Sequence, residues 1–132
     1  MIYDYPLTIA ANTTKDAPTE LEMDVGVGVV NQVDVQFPPG CAGLARCSIW
    51  YGGHQLWPSN PDGYFAADAY VISFAEDYPI LEAPFVLTLK AWNLDDSYPH
   101  TITVRLGVTP PTIQVPYPMT EGGAGYPGWL VG

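Results

Sequence analysis

Apolar and polar residues alternate with a period of two along most of this chain, the pattern of strands that bury one face. Tyr3, Tyr5, Leu7 and Ile9 alternate first, and Asn12 to Pro18 reads as a loop. Leu21, Met23, Val25, Val27 and Val29 follow, with Gly26 and Gly28 between them. Glycines inside such a run indicate a bulge or a close backbone approach. Val33, Val35 and Phe37 continue to the stop at Pro38-Pro39-Gly40, and Ala45, Cys47, Ile49 and Tyr51 run to Gly52-Gly53. His54 to Asp68 is rich in turn residues, Pro61-Asp62-Gly63 among them. Tyr70, Ile72 and Phe74 open another strand, with Val71 on its other face. Phe85, Leu87, Leu89 and Ala91 alternate cleanly, as do Ile102, Val104, Leu106 and Val108 after the loop Asn93 to Pro99. Leu89 and Val104 are expected to face the core and Thr103 to point outward. No stretch of helical length carries an apolar i, i+3, i+4, i+7 pattern. The prediction is an all-β chain: a single jelly-roll-like sandwich of about eight antiparallel strands over residues 1–108.

The pattern changes near Thr109. Residues 109–132 read TPPTIQVPYPMTEGGAGYPGWLVG, with five prolines, five glycines and one charge, Glu121. Proline lacks the backbone donor and glycine the rigidity that a helix or central strand needs. Solvated linkers are poor in large apolar groups, whereas this segment carries Ile113, Val115, Tyr117, Tyr126, Trp129 and Leu130. It is expected to be an extended C-terminal arm that buries these side chains on a subunit or capsid interface.

The 132 residues suit one domain. Only 14% are charged, with 4 basic residues against 14 acidic ones and a net charge of -10. Phosphate recognition needs clustered Lys and Arg, so nucleic acid is not an expected partner, and neither is an anionic membrane surface. The N-terminus has no basic stretch followed by an apolar one, so no secretory signal is read there. Nothing reaches the length of a membrane span.

Candidate chemistry is sparse. His54 and His100 both sit beside turn residues, outside any paired-ligand motif, and no G-x-S-x-G or phosphate loop is present. Cys41 and Cys47 read as small buried thiols, with a disulfide as the alternative. Asp62, Asp68, Asp95 and Asp96 lie in loops of the kind that hold calcium in some sandwiches, but without a D-x-D-x-D-G spacing. Two carboxylates acting as a glycosidase pair are the remaining catalytic option. No catalytic residue, metal or cofactor is assigned. Trp50, Trp57, Tyr64, Trp92 and Tyr98 fall in or beside the middle loops, where rings either stack on sugars or pack into a core or subunit interface. Trp57, Tyr64, Asp95 and Asp96 are the candidate ligand or partner loop.

The segments FPPGCAGLARCSIWYGGHQLWPSNPDGYFAAD (Phe37 to Asp68) and WNLDDSYPHTITVRLGV (Trp92 to Val108) resemble small phage-associated proteins, over roughly Glu20 to Val108. More broadly the pattern is similar to the jelly-roll decoration, or cement, proteins of tailed-bacteriophage capsids. That resemblance implies a non-enzymatic structural protein of the capsid exterior, made in the host cytoplasm. It would be a homotrimer bound to the major capsid protein. Many decoration proteins contact the shell through an N-terminal arm, whereas the arm-like segment here is C-terminal. A minor capsid, spike-base or tail position is a close variant of this expectation. The alternative from another class is a carbohydrate-binding sandwich module of a receptor-binding or secreted protein.

Overall fold

The computed structural model of the protein describes residues 1–111. Within them the chain forms β1 (Ile2–Ile9), β2 (Thr19–Asp24), β3 (Gly28–Phe37), β4 (Ala45–Tyr51), β5 (His54–Trp57), β6 (Phe65–Ala66), β7 (Tyr70–Ile80), β8 (Val86–Asn93) and β9 (His100–Thr109). The strands pair as a nested hairpin: β1 with β9, β2 with β8, β3 with β7 and β4 with β5. Folding that ribbon over gives two antiparallel sheets, ordered β1-β9-β3-β7 and β2-β8-β4-β5, with the short β6 paired to β4. This is the jelly-roll wiring of a β-sandwich. The arm residues Ile113, Val115, Tyr117, Tyr126, Trp129 and Leu130 lie outside the described residues. The last strand runs through Thr109, one residue past the expected boundary.

The core lies between the sheets, where the inward faces interdigitate. Val33, Val35, Phe37, Ile102, Val104 and Leu106 enter it from the first sheet, and Met23, Ile49, Leu87 and Leu89 from the second. Leu89 and Val104 are fully buried as expected, and Thr103 is half-buried on the opposite face of β9.

Two sequence expectations are corrected. The alternation from Leu21 to Val29 is not one strand. Val25 is buried, Gly26 takes a positive φ of 68°, Val27 is exposed, and the chain crosses to the other sheet. A register shift between Val30 and Gln32 then resets the phase, so Val30 and Val33 face the core and Val29 does not. Such an extra residue changes which side chains point inward. The turn-rich stretch from His54 contains a strand, β5, whose Trp57 is a core residue 4% exposed. Its indole meets Phe74 and Tyr78 edge-on and donates to Glu76 Oε2 at 2.8 Å. Trp57 therefore does not belong to an open ligand or partner loop. Trp92 lies on the outer face of its sheet and is buried there by the chain itself, with Tyr64 edge-on at 5.8 Å.

Candidate functional site: an aromatic and charged cleft on the second sheet

The outer face of the second sheet is set by its register. Glu20 on β2 lies directly across from Lys90 on β8, which lies across from Ser48 on β4. Trp50 is the diagonal neighbour of Lys90 on the same face, a separation that long and aromatic side chains bridge. Trp92 is opposite Arg46 one step along, and Gln55 on β5 is opposite Trp50. The β1–β2 loop and the loop after β5 rise at either side and bring Lys15, Asp16, Asp62 and Gly63 to the rim. The result is a cleft of about 270 Å³. A second hollow of about 330 Å³, lined by Gly53, His54, Ser59 and Pro61, adjoins it and shares Trp50, Gln55 and Asp62.

Three of the chain's 4 basic residues collect on this face, each on an aromatic ring. Lys90 Nζ lies 4.2 Å from the Trp50 centroid, the Arg46 guanidinium 4.7 Å from that of Tyr64, and Lys15 Nζ 5.6 Å from that of Trp92. These are cation–π distances. Among the described residues the salt bridges are His100–Asp95 and Arg105–Asp4, so neither lysine of the cleft is ion-paired, although Asp16, Glu20 and Asp62 share its lining. The walls are fixed by hydrogen bonds. Gln55 Nε2 donates to the carbonyls of Pro58, Asn60 and Gly63, which holds the loop after β5 in place. Lys15 Nζ donates to the Asp62 carbonyl at 3.5 Å and links the two loops. Trp50 Nε1 donates to Ser48 Oγ at 2.8 Å, which satisfies the indole N–H and leaves the ring, with Lys90 on one face, as its remaining surface.

The other predicted site residues fall elsewhere. Tyr64 is 43% exposed and stands at the cleft margin, against Trp92 and under Arg46. Asp95 and Asp96 follow the C-terminal end of β8, outside the cleft lining, in a loop whose oxygens are already engaged. Asp95 accepts from the amides of Ser97 and Tyr98 and pairs with His100 Nε2 at 2.9 Å. Its carboxyl is held below the ordinary range, first by the Ser97 amide and then by His100. Asp96 accepts from Ser97 Oγ. The buried Asn93 ties the same loop to Ile9, Tyr98 and Asp95. Asp68 accepts from the amides of Ala42 and Gly40, which lower its pKa, and so anchors the β3–β4 connection. Among the described residues no three His, Cys, Asp or Glu side chains converge as metal ligands.

Cys41 and Cys47 are free and buried, and burial pushes both thiols up from their ordinary pKa. His54 is exposed at the start of β5.

Sequence reasoning reached Trp50, Tyr64 and Trp92 as rings but not Lys15, Glu20, Gln55 or Lys90 as their neighbours. The signal available was the odd distribution of so few cations on two-sided strands. Compared with known proteins, the chain matches no protein-family model and no curated protein.

Proposed function

We propose that this protein is a non-enzymatic structural component of a virion, a jelly-roll subunit that binds and stabilises a viral capsid from outside. Its partners in this reading are further copies of itself, as a homotrimer, and the major capsid protein. The observation that carries the reading is the apolar character of one end of the sandwich. Ile2 lies opposite Gly107 near the end of β9, Val29 opposite Thr109, and Gly28 opposite Ile80. Ile2, Val27 and Leu81, all well exposed, therefore lie spread along the end of the first sheet where β9 runs out. Single exposed apolar residues are ordinary on a protein surface, whereas several at one end mark contact with a partner.

The sequence that follows Thr109 carries Ile113, Val115, Tyr117, Tyr126, Trp129 and Leu130, an equally apolar set. Proline-rich sequence loses little entropy on docking, and aromatic residues dominate interface energies. The net charge of -10 keeps separate subunits soluble until they meet the shell.

The test is molar mass by light scattering for the full chain and for a chain cut after Pro111, which keeps β9 whole. A trimer that becomes a folded monomer on truncation supports the reading. A full-length monomer that also fails to co-sediment with capsids ends it.

A further inference from the structure

We propose that the cleft on the outer face of the second sheet is a binding site for a neutral oligosaccharide. The inference goes beyond the assembly reading and stands on a different face of the molecule.

Three features of the cleft select that ligand. A sugar ring has an apolar C–H face and a rim of hydroxyls, each of which both donates and accepts. The site offers the matching pair of resources: an indole whose own N–H is already satisfied by Ser48, and donors and acceptors side by side around it. Lys15 and Lys90 are not ion-paired among the described residues, and Glu20, Asp16 and Asp62 face the same space. In a chain this acidic, lysines kept off carboxylates and laid on rings remain available as donors.

Charge then separates the ligand classes. Two ammonium groups against three carboxylates leave the lining slightly negative, which disfavours sialylated, sulfated or phosphorylated ligands and suits an uncharged one. Shape sets the length. The first hollow is just under the roughly 300 Å³ at which small-molecule pockets begin. The adjoining hollow shares Trp50, so the two form a groove for more than one ring.

Lys90 covers one face of Trp50 at 4.2 Å. A cation on a half-buried ring is held by roughly two- to thirty-fold in equilibrium, the lower end applying where water reaches it, so a sugar face can displace it. The displaced ammonium, on its flexible stem, then donates to the ring hydroxyls. The rim is held in advance by Gln55 and Lys15, and preorganisation of that kind lowers the cost of binding.

The test applies the full-length protein to a glycan array carrying neutral hexose and N-acetylhexosamine oligomers beside sialylated and sulfated ones. Hits are then titrated by tryptophan fluorescence and calorimetry. Binding to at least one neutral oligomer is expected, with affinity lowered at least tenfold in Trp50→Ala and several-fold in Glu20→Gln, and unchanged in Asp77→Asn on the other sheet. Glu20 is exposed, so its variant reports on binding even if Trp50→Ala is poorly folded. An array without neutral hits, hits confined to charged glycans, or affinity unchanged in Glu20→Gln and in a folded Trp50 variant would overturn the proposal.

Discussion

Gly28 lies so close to Thr109 that a Cβ built on the glycine would sit 2.6 Å from the Thr109 carbonyl oxygen and 2.7 Å from Val108 Cγ1. The first of these neighbours is backbone at the end of β9, which is held by its ladder with β3. Glycine is required here by contact, since its φ is not in the left-handed region. Gly28→Ala is expected to cost about 1–3 kcal/mol, the usual range for overpacking. Gly107→Ala makes an instructive comparison. Its closest clash is with the side-chain oxygen of Asn31, at 2.5 Å, and a side chain can turn away. Thermal melts should rank Gly28→Ala as the more damaging. Equal loss in the two variants would mean that the end of β9 yields as readily as a side chain.

Leu89 and Val104 occupy the centres of the two facing sheets. Leu89 pairs with Leu21 and Ile49 in one, and Val104 with Tyr5 and Val35 in the other. Both are fully buried. Leu89→Ala is expected to cost about 2–5 kcal/mol, because a close-packed core collapses only partly around the space left. Val104→Ala removes fewer atoms and should cost less. Thr103, on the outward face between Pro6 and Gln36, should tolerate Ala within about 0.5 kcal/mol. Denaturant melts of the three variants check the order, and a Thr103 variant as unstable as Leu89→Ala would show that this face is packed.

The strands that sequence reading found are those whose alternation coincides with one sheet, notably β4, β8 and β9. It failed where two physical events left the period intact. Between Val25 and Val27 the chain changes sheets, yet the alternation of apolar residues continues through the turn. At Asn31 β3 carries an extra residue relative to β9, which shifts the phase that Val29 had suggested. The strand β5 was hidden because its four residues stand between Gly52-Gly53 and a proline-rich turn. The cleft was less legible still. Lys15 and Trp92 are far apart in sequence, and Lys90 meets Trp50 only through the β4–β8 register. Composition revealed that cations were few; only the topology brings three of them onto one face.

Acid should destabilise the fold through three carboxyls. Asp34, Asp68 and Asp95 are all held below the ordinary carboxylate range: Asp34 by Gln32 and then Ser73, Asp68 by the Ala42 amide, and Asp95 by the Ser97 amide. A carboxyl with a lower pKa folded than unfolded contributes its full stability above the unfolded value, about 3.9 for Asp, and loses it as pH falls through the folded value. Relief of repulsion among the acidic residues acts in the opposite direction between neutral pH and about pH 4. The melting temperature should therefore change little down to about pH 4 and drop below it. Asp95→Asn should lower stability at neutral pH and flatten that acid limb, because its contribution is then absent at every pH. An acid limb as steep as that of the parent chain would show that Asp95 is not one of its sources.

Trp57 and Trp50 are close in sequence and differ in every respect that matters for their roles. The indole of Trp57 is wedged between Phe74 and Tyr78 and tied to Glu76 between the sheets, whereas Trp50 is half-buried on the outer face beside the lysine that covers it. Trp57→Ala should therefore cost about 3–5 kcal/mol, as loss of a buried aromatic does. That is a large part of a small domain's total stability. Trp50→Ala should cost much less and leave the near-ultraviolet circular dichroism of the core in place. The two emission spectra should separate as well. Native fluorescence lost with Trp57→Phe should be the part that resists quenching by acrylamide, and that lost with Trp50→Phe the part that quenches readily. If acrylamide reached the Trp57 component as easily, the core placement of β5 would be wrong, and the ligand loop that the sequence suggested around Trp57 would again be open to solvent.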